Sequence, residues 1–307
     1  EACGEKLDMA QLQEIWEGKL EPVYPYRKAG PTVEKINGKL NAPAAPKIGV
    51  AKPKVIIPVF PGTNCEYDTA KAFARAGADP EILVIRNLTP ADVAESCKAL
   101  VKAIDNSQIV MLPGGFSGGD EPDGSAKFIC SFFRNPRVTE AVRDLLQHRD
   151  GLMLGICNGF QALIKLGLVP YGDIRPITAY DPTLTFNTIG RHQSMLVRTR
   201  VASNKSPWLS ECNVDDEHLI AISHGEGRFV CNDGLLQQLI NNGQVATQYV
   251  DLNCVPTMDM RYNPNGSVLA IEGITACSAR WAILSAAATA CTKTLPATST
   301  SRFLKAA

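Results

Sequence analysis

Of the ten cysteines in the 307-residue sequence, one stands where an apolar run gives way to a helical pattern. Cys157 lies in Gly155-Ile156-Cys157-Asn158-Gly159-Phe160-Gln161, directly after the apolar stretch that begins at Gly151. The pattern is glycine, any residue, nucleophile, any residue, glycine. A nucleophile on a sharp strand-to-helix turn is exposed at the carboxyl end of a parallel sheet. The flanking glycines relieve crowding there, and the start of the helix favours a thiolate. An arbitrary cysteine beside an apolar run is more often buried packing; the turn between strand and helix favours a nucleophile at this position.

A second glycine turn, LPGGFSGGD from Leu112 to Asp120, also follows an apolar run. In a parallel sheet it ends on the same edge as Cys157. Backbone N–H groups at Gly114 and Gly115 can then form an oxyanion hole beside the thiolate. Either turn alone reads as an ordinary strand exit; the pair points to a site.

Thiolate chemistry of this kind needs a histidine oriented by a carboxylate, and the sequence has four histidines. His148, in LLQHRD at a helix end, reads as solvated. His192, in IGRHQS, reads as a structural residue in mid-strand, and His218, in DDEHLI, as a surface residue at a strand start. His224 is followed two residues on by Glu226 in SHGEGRF, the spacing of a His-x-Glu pair. This pair is the candidate for a near-site or substitute base.

The elements that must hold these residues are legible from Lys54 onward. KVIIPVF, EILVIR, SQIVMLPGG and GLMLGIC read as strands. EYDTAKAFARAGA, PADVAESCKALVKAI, RVTEAVRDLLQHRD and NGFQALIKLG read as helices. Apolar runs alternating with amphipathic helices imply an α/β fold, a parallel sheet with helices on both faces. TLTFNTIGRHQSMLVRTRV and HLIAISHGEGRFV read as antiparallel strands at an edge, and NPNGSVLAI as a hairpin turn into a strand. Residues 8–20 predict a short amphipathic helix, capped by Asp8 and stopped at Gly18, with Met9, Leu12, Ile15 and Trp16 on one face. Residues 28–53, rich in Pro, Gly, Lys and Ala, read as a tether or a loop lying on another domain.

Composition narrows the class. Lys plus Arg and Asp plus Glu both number 31, which gives no electrostatic reason for a nucleic-acid partner. No run reaches the roughly 18 apolar residues of a membrane span. The cysteines form no CxxC pair and no zinc-like cluster, so reduced thiols and a cytoplasmic location are expected. The sequence opens on Glu1 rather than Met, which reads as a fragment.

GICNGFQALIKLGLVP, with MLPGGFSGGD upstream, resembles the triad-type class I glutamine amidotransferases. PVFPGTNCEYDTAKAFARAGA and SHGEGRF narrow the resemblance to the glutaminase domains of the phosphoribosylformylglycinamidine synthase family, over residues 54–274. Residues 1–27 resemble the end of the synthetase portion of the long single-chain form, with 28–53 as the linker. The resemblance implies a flavodoxin-like sheet sandwiched by helices, with a β-rich edge extension. It implies that Cys157 attacks the side-chain amide of L-glutamine, with Gly115 and Asn158 as oxyanion donors and Phe116 and Gln161 holding the substrate. The released ammonia would pass to the synthetase domain, which uses ATP and Mg²⁺; no cofactor or metal is expected in this chain. A non-catalytic glutamine-binding or docking module, or another nucleophile-elbow cysteine hydrolase, are the alternatives.

The family's catalytic His and Glu come from a Gly-His-Ser-Glu segment after the stretch matching NPNGSVLAIEGIT, and residues 275–307 lack it. Read one base earlier, the codons of ACSARWAILS can spell V-L-G-K-M-G-H-S-E-R. Trp281 and Ala282 force the glycine, because TGG followed by GC leaves only GGC. The tail from about Thr275 is therefore expected to be a frameshifted translation, and the chain to be impaired as a catalyst. The competing reading is a divergent tail, for instance a small amphipathic helix over ARWAILSAAATA. Codons that cannot spell the shifted segment would end the frameshift reading.

Overall fold

The structure, a computed structural model, describes residues 6, 8–23, 29–38, 49–116, 126–277 and 282–286. Helix α1 (Met9–Gly18) starts where Ala10 N–H donates to the Asp8 carboxylate, at 2.8 Å, and none of its residues is buried. From Lys54 the chain alternates as its periodicity dictates: β1 (Lys54–Val59), α2 (Glu66–Arg75), β2 (Asp79–Val84), α3 (Pro90–Asp105), β3 (Ile109–Leu112). Helix α3 has a reciprocal cap between Thr89 and Asp92, with Pro90 in its first turn, where a missing N–H costs nothing. After α4 (Lys127–Phe133) and α5 (Pro136–Gln147) come β4 (Leu152–Ile156), α6 (Asn158–Leu166) and the short α7 (Leu168–Tyr171).

The second half is mostly β: β5 (Thr183–Thr185), β6 (Gln193–Val201), β7 (Glu217–His224), β8 (Arg228–Val230), α8 (Asp233–Asn241), β9 (Val245–Val250), β10 (Ile271–Thr275) and β11 (Ala282–Ala286). The described strands form one sheet in the order β2-β1-β3-β4-β11-β10-β9-β6-β7, with β5 and β8 paired apart from it. β2, β1, β3, β4 and β11 run parallel. β10, β9, β6 and β7 continue the sheet antiparallel. This is the parallel sheet with a β-rich extension that the sequence implied. Strand β11 lies inside the tail and pairs its backbone with Leu152–Ile156 on one side and β10 on the other.

Both faces of the parallel part are covered. Leu100 and Ile104 of α3, Val142 and Leu145 of α5, and Leu163 of α6 pack on one face with Val110 and Met153. Phe73 of α2 and Trp208 pack on the other with Val55, Ile57 and Met111. No described helix is long and apolar enough to cross a membrane. Five elements escaped the sequence reading: α4, α7, α8, β9 and β11, the last a strand where the divergent-tail reading had a helix, because its backbone fills the place between β4 and β10. β9 is buried at every position, so its Thr247 and Gln248 interrupt the apolar run that a doubly covered strand normally shows.

Residues 29–38, within the stretch read as tether or docked loop, lie along the antiparallel part of the sheet. Val33 N–H donates to Pro256 O and Gly38 N–H to Ala202 O, both at 2.8 Å, and Met258 N–H donates to Pro31 O at 2.9 Å. A Cβ on Gly30 would stand 2.4 Å from Met258 O, so backbone meets backbone there. Arg200, with no exposed surface, grips this strap. Its guanidinium donates to Ile36 O (2.9 Å), Asn37 Oδ1 (2.5 Å), Gln248 Oε1 (2.8 Å) and Asp215 Oδ1 (2.8 Å). Arg200→Met would leave buried acceptors without donors, at a cost of about 3 kcal/mol. The denaturation midpoint should fall accordingly; a loss under about 1 kcal/mol would show that the strap does not depend on this arginine.

Candidate active site

Cys157 caps α6 with φ 53° and ψ −110°, a conformation that costs a non-glycine residue of order 1–3 kcal/mol. The glycines on either side explain why it persists. A Cβ on Gly159 would stand 2.0 Å from Leu112 O, and one on Gly155 would stand 2.6 Å from Leu163 Cδ1 and 2.7 Å from Gly159 O. Helix α6 therefore rests on the backbones of β3 and β4, and the chain must reverse sharply at Cys157 to enter it. The helix's own ladder opens with Gln161 N–H donating to Cys157 O at 3.0 Å. The N–H groups of Asn158 and Gly159 precede that ladder, and the positive end of the helix faces the thiol.

The second glycine turn abuts the first. A Cβ on Gly114 would lie 3.3 Å from Cys157 Cβ and 3.8 Å from Sγ. The turn is clamped to residues 60–64. Asn64 N–H donates to Gly114 O at 3.0 Å and Phe116 N–H to Gly62 O at 2.8 Å. This pattern brackets Gly115 and Thr63 as a pair whose own N–H groups point away from each other. Gly115, at φ +138°, has no room for a side chain: a Cβ would stand 2.4 Å from Gly62 O. The N–H of Gly115 thus faces away from the clamp. Phe116 is exposed, with its ring 6.4 Å from that of His192. Ser117 to Asp120, the rest of this turn, lie outside the described residues.

The third wall is the loop after β7. Asn158 Nδ2 donates to Gln161 Oε1 at 3.0 Å, and Gln161 Nε2 donates to Glu226 O at 2.8 Å. The Gln161 amide thus ties α6 to the loop. Asn187 and Asn265 hold the same loop from its far side. Gly227 N–H donates to Asn187 Oδ1 at 3.1 Å, and Asn265 Nδ2 donates to Gly227 O at 2.8 Å.

His224 is only 4% exposed, and its ring nitrogens have no hydrogen-bond partner among the described residues. Its ring fills the space beneath Gly227, where a Cβ would stand 2.4 Å from Cε1. Burial, with a smaller push from His192, lowers its pKa to about 4. At neutral pH it is therefore an uncharged ring inside the wall, while Glu226 lends the wall its backbone carbonyl. Tyr249, fully buried, has its phenol pKa held well above 10 by burial and then by the Glu272 charge, with Cys157 also within electrostatic reach.

The structure brings Cys157, Gly114, Gly115, Phe116, Asn158, Gln161 and Glu226 to one edge of the sheet. His192 was read as mid-strand, but it precedes β6, is exposed, and faces Phe116 at the rim. NPNGS was read as a hairpin turn, but it is a buried polar loop: Asn263, Asn265 and Ser267 have no exposed surface. The sequence did carry a signal there, since two asparagines and a serine around a glycine can satisfy one another. After Glu272 the sequence contains no His, Asp or Glu.

Comparison with known proteins places the chain in a family. The family model of the CobB/CobQ-like glutamine amidotransferase domain matches residues 52–301, a span that includes much of the tail. The chain is 33% identical over 226 residues to the phosphoribosylformylglycinamidine synthase subunit PurQ of Methanococcus maripaludis, covering 72% of this chain and 76% of the relative. To the PurQ subunit of Symbiobacterium thermophilum it is 35% identical over 221 residues, covering 70% and 78%. In fold it is similar to PurLQS from Thermotoga maritima, with a TM-score of 0.57 and 22% identity, covering 82% of this chain and 95% of that one. The chain belongs to the CobB/CobQ-like glutamine amidotransferase domain family.

Proposed function

We propose that this chain is the glutaminase part of a phosphoribosylformylglycinamidine synthase, that it binds L-glutamine at Cys157, and that it turns the substrate over slowly. The observation that carries the reading is the strained Cys157 at the start of α6, with Gly114 pressed against it. Similarity to PurQ subunits supports the substrate and the partner.

In the proposed reaction the Cys157 sulfur adds to the side-chain amide carbon. The oxyanion is met by N–H groups at Gly115 and Asn158. The C–N bond breaks, ammonia leaves with a proton, and a γ-glutamyl thioester remains for water to hydrolyse to glutamate. Ammonia passes to a synthetase partner in the cytoplasm, and that partner supplies the ATP and Mg²⁺ chemistry. The thiol proton must first be taken up and then returned to the leaving nitrogen. No His, Asp or Glu side chain follows β11 to carry it, which leaves solvent or the Glu226 carboxylate, neither of them a histidine base, and turnover falls while binding survives. His224 does not fit as the replacement, because its ring is closed off beneath Gly227. A frameshifted tail remains our explanation for the missing base, with residues 1–27 as a synthetase remnant.

A glutamine-analogue chloroketone should alkylate Cys157 with saturation, and Cys157→Ala should abolish the labelling. Replacing the tail with the shifted-frame segment V-L-G-K-M-G-H-S-E-R and its continuation should raise glutaminase turnover by about 10³-fold or more. No gain from that replacement would contradict the impairment.

His224 allows a second test. Its pKa is lower in the folded chain than in the unfolded chain, so the unfolded state binds more protons between pH 6.5 and about 4. The stability contributed by the neutral ring is present above pH 6.5 and is lost as pH falls through about 4, amounting to about 3 kcal/mol. His224→Phe should remove this part of the acid destabilisation and leave glutamine turnover within about twofold. Abolished turnover in that variant would make His224 the base.

A further inference from the structure

We infer that Asn265 is a positioning residue for the glutamine pocket: its carboxamide fixes the loop at residues 225–227, and through the Glu226 carbonyl it fixes Gln161 at the start of the nucleophile's helix. The inference rests on the glutamine-binding reading above.

Every polar atom of the Asn265 side chain is used. Nδ2 carries two hydrogens, which go to Gly227 O at 2.8 Å and to the Tyr249 hydroxyl at 3.0 Å. Oδ1 accepts the Ser267 N–H at 3.0 Å and the Ser267 hydroxyl at 2.8 Å. Its backbone carbonyl accepts Thr188 N–H at 3.0 Å. With no exposed surface, this carboxamide has no water to substitute for any partner. The turn that carries it is equally constrained: Gly266 sits at φ +77°, where a Cβ would stand 2.1 Å from Thr188 Oγ1.

Gly227 is therefore gripped at both backbone polar groups, by Asn187 at its N–H and Asn265 at its carbonyl. The Glu226 carbonyl shares its planar peptide unit with the Gly227 N–H held by Asn187 and meets Gln161 Nε2, while Asn265 anchors the next unit and so fixes where that plane sits. Gln161 in turn accepts from Asn158, the first residue of α6. If the grip at Gly227 is lost, the Glu226 carbonyl is free to move off Gln161, and the pocket wall loses its register against the helix. No bond links Asn265 to Cys157 itself. The effect should therefore fall on recognition of a glutamine-like ligand and not on the intrinsic reactivity of the thiol. Alanine removes both donors. Aspartate keeps the shape but turns an acceptor towards the Gly227 carbonyl.

The test uses the full chain and two alkylating probes at Cys157. Iodoacetamide reports thiol reactivity, and a glutamine-analogue chloroketone reports recognition. In Asn265→Ala the half-saturating concentration of the chloroketone should rise at least tenfold, while the iodoacetamide rate changes less than twofold. Asn265→Asp should show the same split and carries the test if the alanine variant does not fold. Tyr249→Phe, which removes one partner of Nδ2 and keeps the Gly227 bond, should raise the half-saturating concentration about threefold. A purely structural role would alter the rates with both probes together. If the unmodified chain saturates with the chloroketone and Asn265→Ala or Asn265→Asp saturates at the same concentration, the inference alone is overturned. If the unmodified chain shows no saturable labelling, the glutamine-binding reading fails and the inference falls with it.

Discussion

The backbone of α6 lies directly on the backbones of β3 and β4, with no side chain between them at Gly155 and Gly159. That contact forces the reversal at Cys157 and holds it there. A methyl group at either glycine would push the helix off the sheet, and the chain could then pass from β4 into α6 without a strained residue. The positive φ at Cys157 is thus a consequence of how closely the helix packs. The same contact places the start of α6 beside the Gly114–Gly115 turn, which its clamp to residues 60–64 already fixes. Cys157 and the Gly114–Gly115 turn share one edge because two parallel strands end there and neither exit can relax.

The opposite side of the pocket is held by a different kind of force. It is built from buried amides, Asn187, Gln161 and Asn265, each spending its donors and acceptors on backbone groups or on neighbouring polar side chains. Such a network is costly when incomplete and rigid when complete. His224 is its counterpart, a polar ring kept neutral and used as filling under Gly227. The wall is therefore pre-formed without a charged residue at its centre. This suits the neutral side-chain amide of the proposed substrate.

Much of the parallel half was legible because its physics is local. Val55–Ile57 and Ile109–Leu112 are short apolar runs, and Thr89-Pro90 opens α3 by rules that need no tertiary information. The nucleophile elbow was legible for the same reason, since its glycines sit within two residues of Cys157. The third wall was not. Asn265 contacts Gly227 across 38 residues of sequence, and nothing local distinguishes a buried, fully bonded asparagine from one in an exposed turn. His192 was misplaced because GRHQSML continues a β pattern, while the chain bends at the rim before β6 begins. The docking of residues 29–38 was left open, because an interior arginine such as Arg200 cannot be told from a surface one by its neighbours in sequence.

At the centre of this account is the proposal that the pocket beside Cys157 binds glutamine and that the chain turns it over slowly. The rate of Cys157 alkylation by iodoacetamide, measured against glutamine concentration, tests this most directly. The account predicts saturable protection by L-glutamine, with glutamate released far more slowly than glutamine binds. A Cys157 alkylation rate that does not respond to glutamine at any concentration would contradict it.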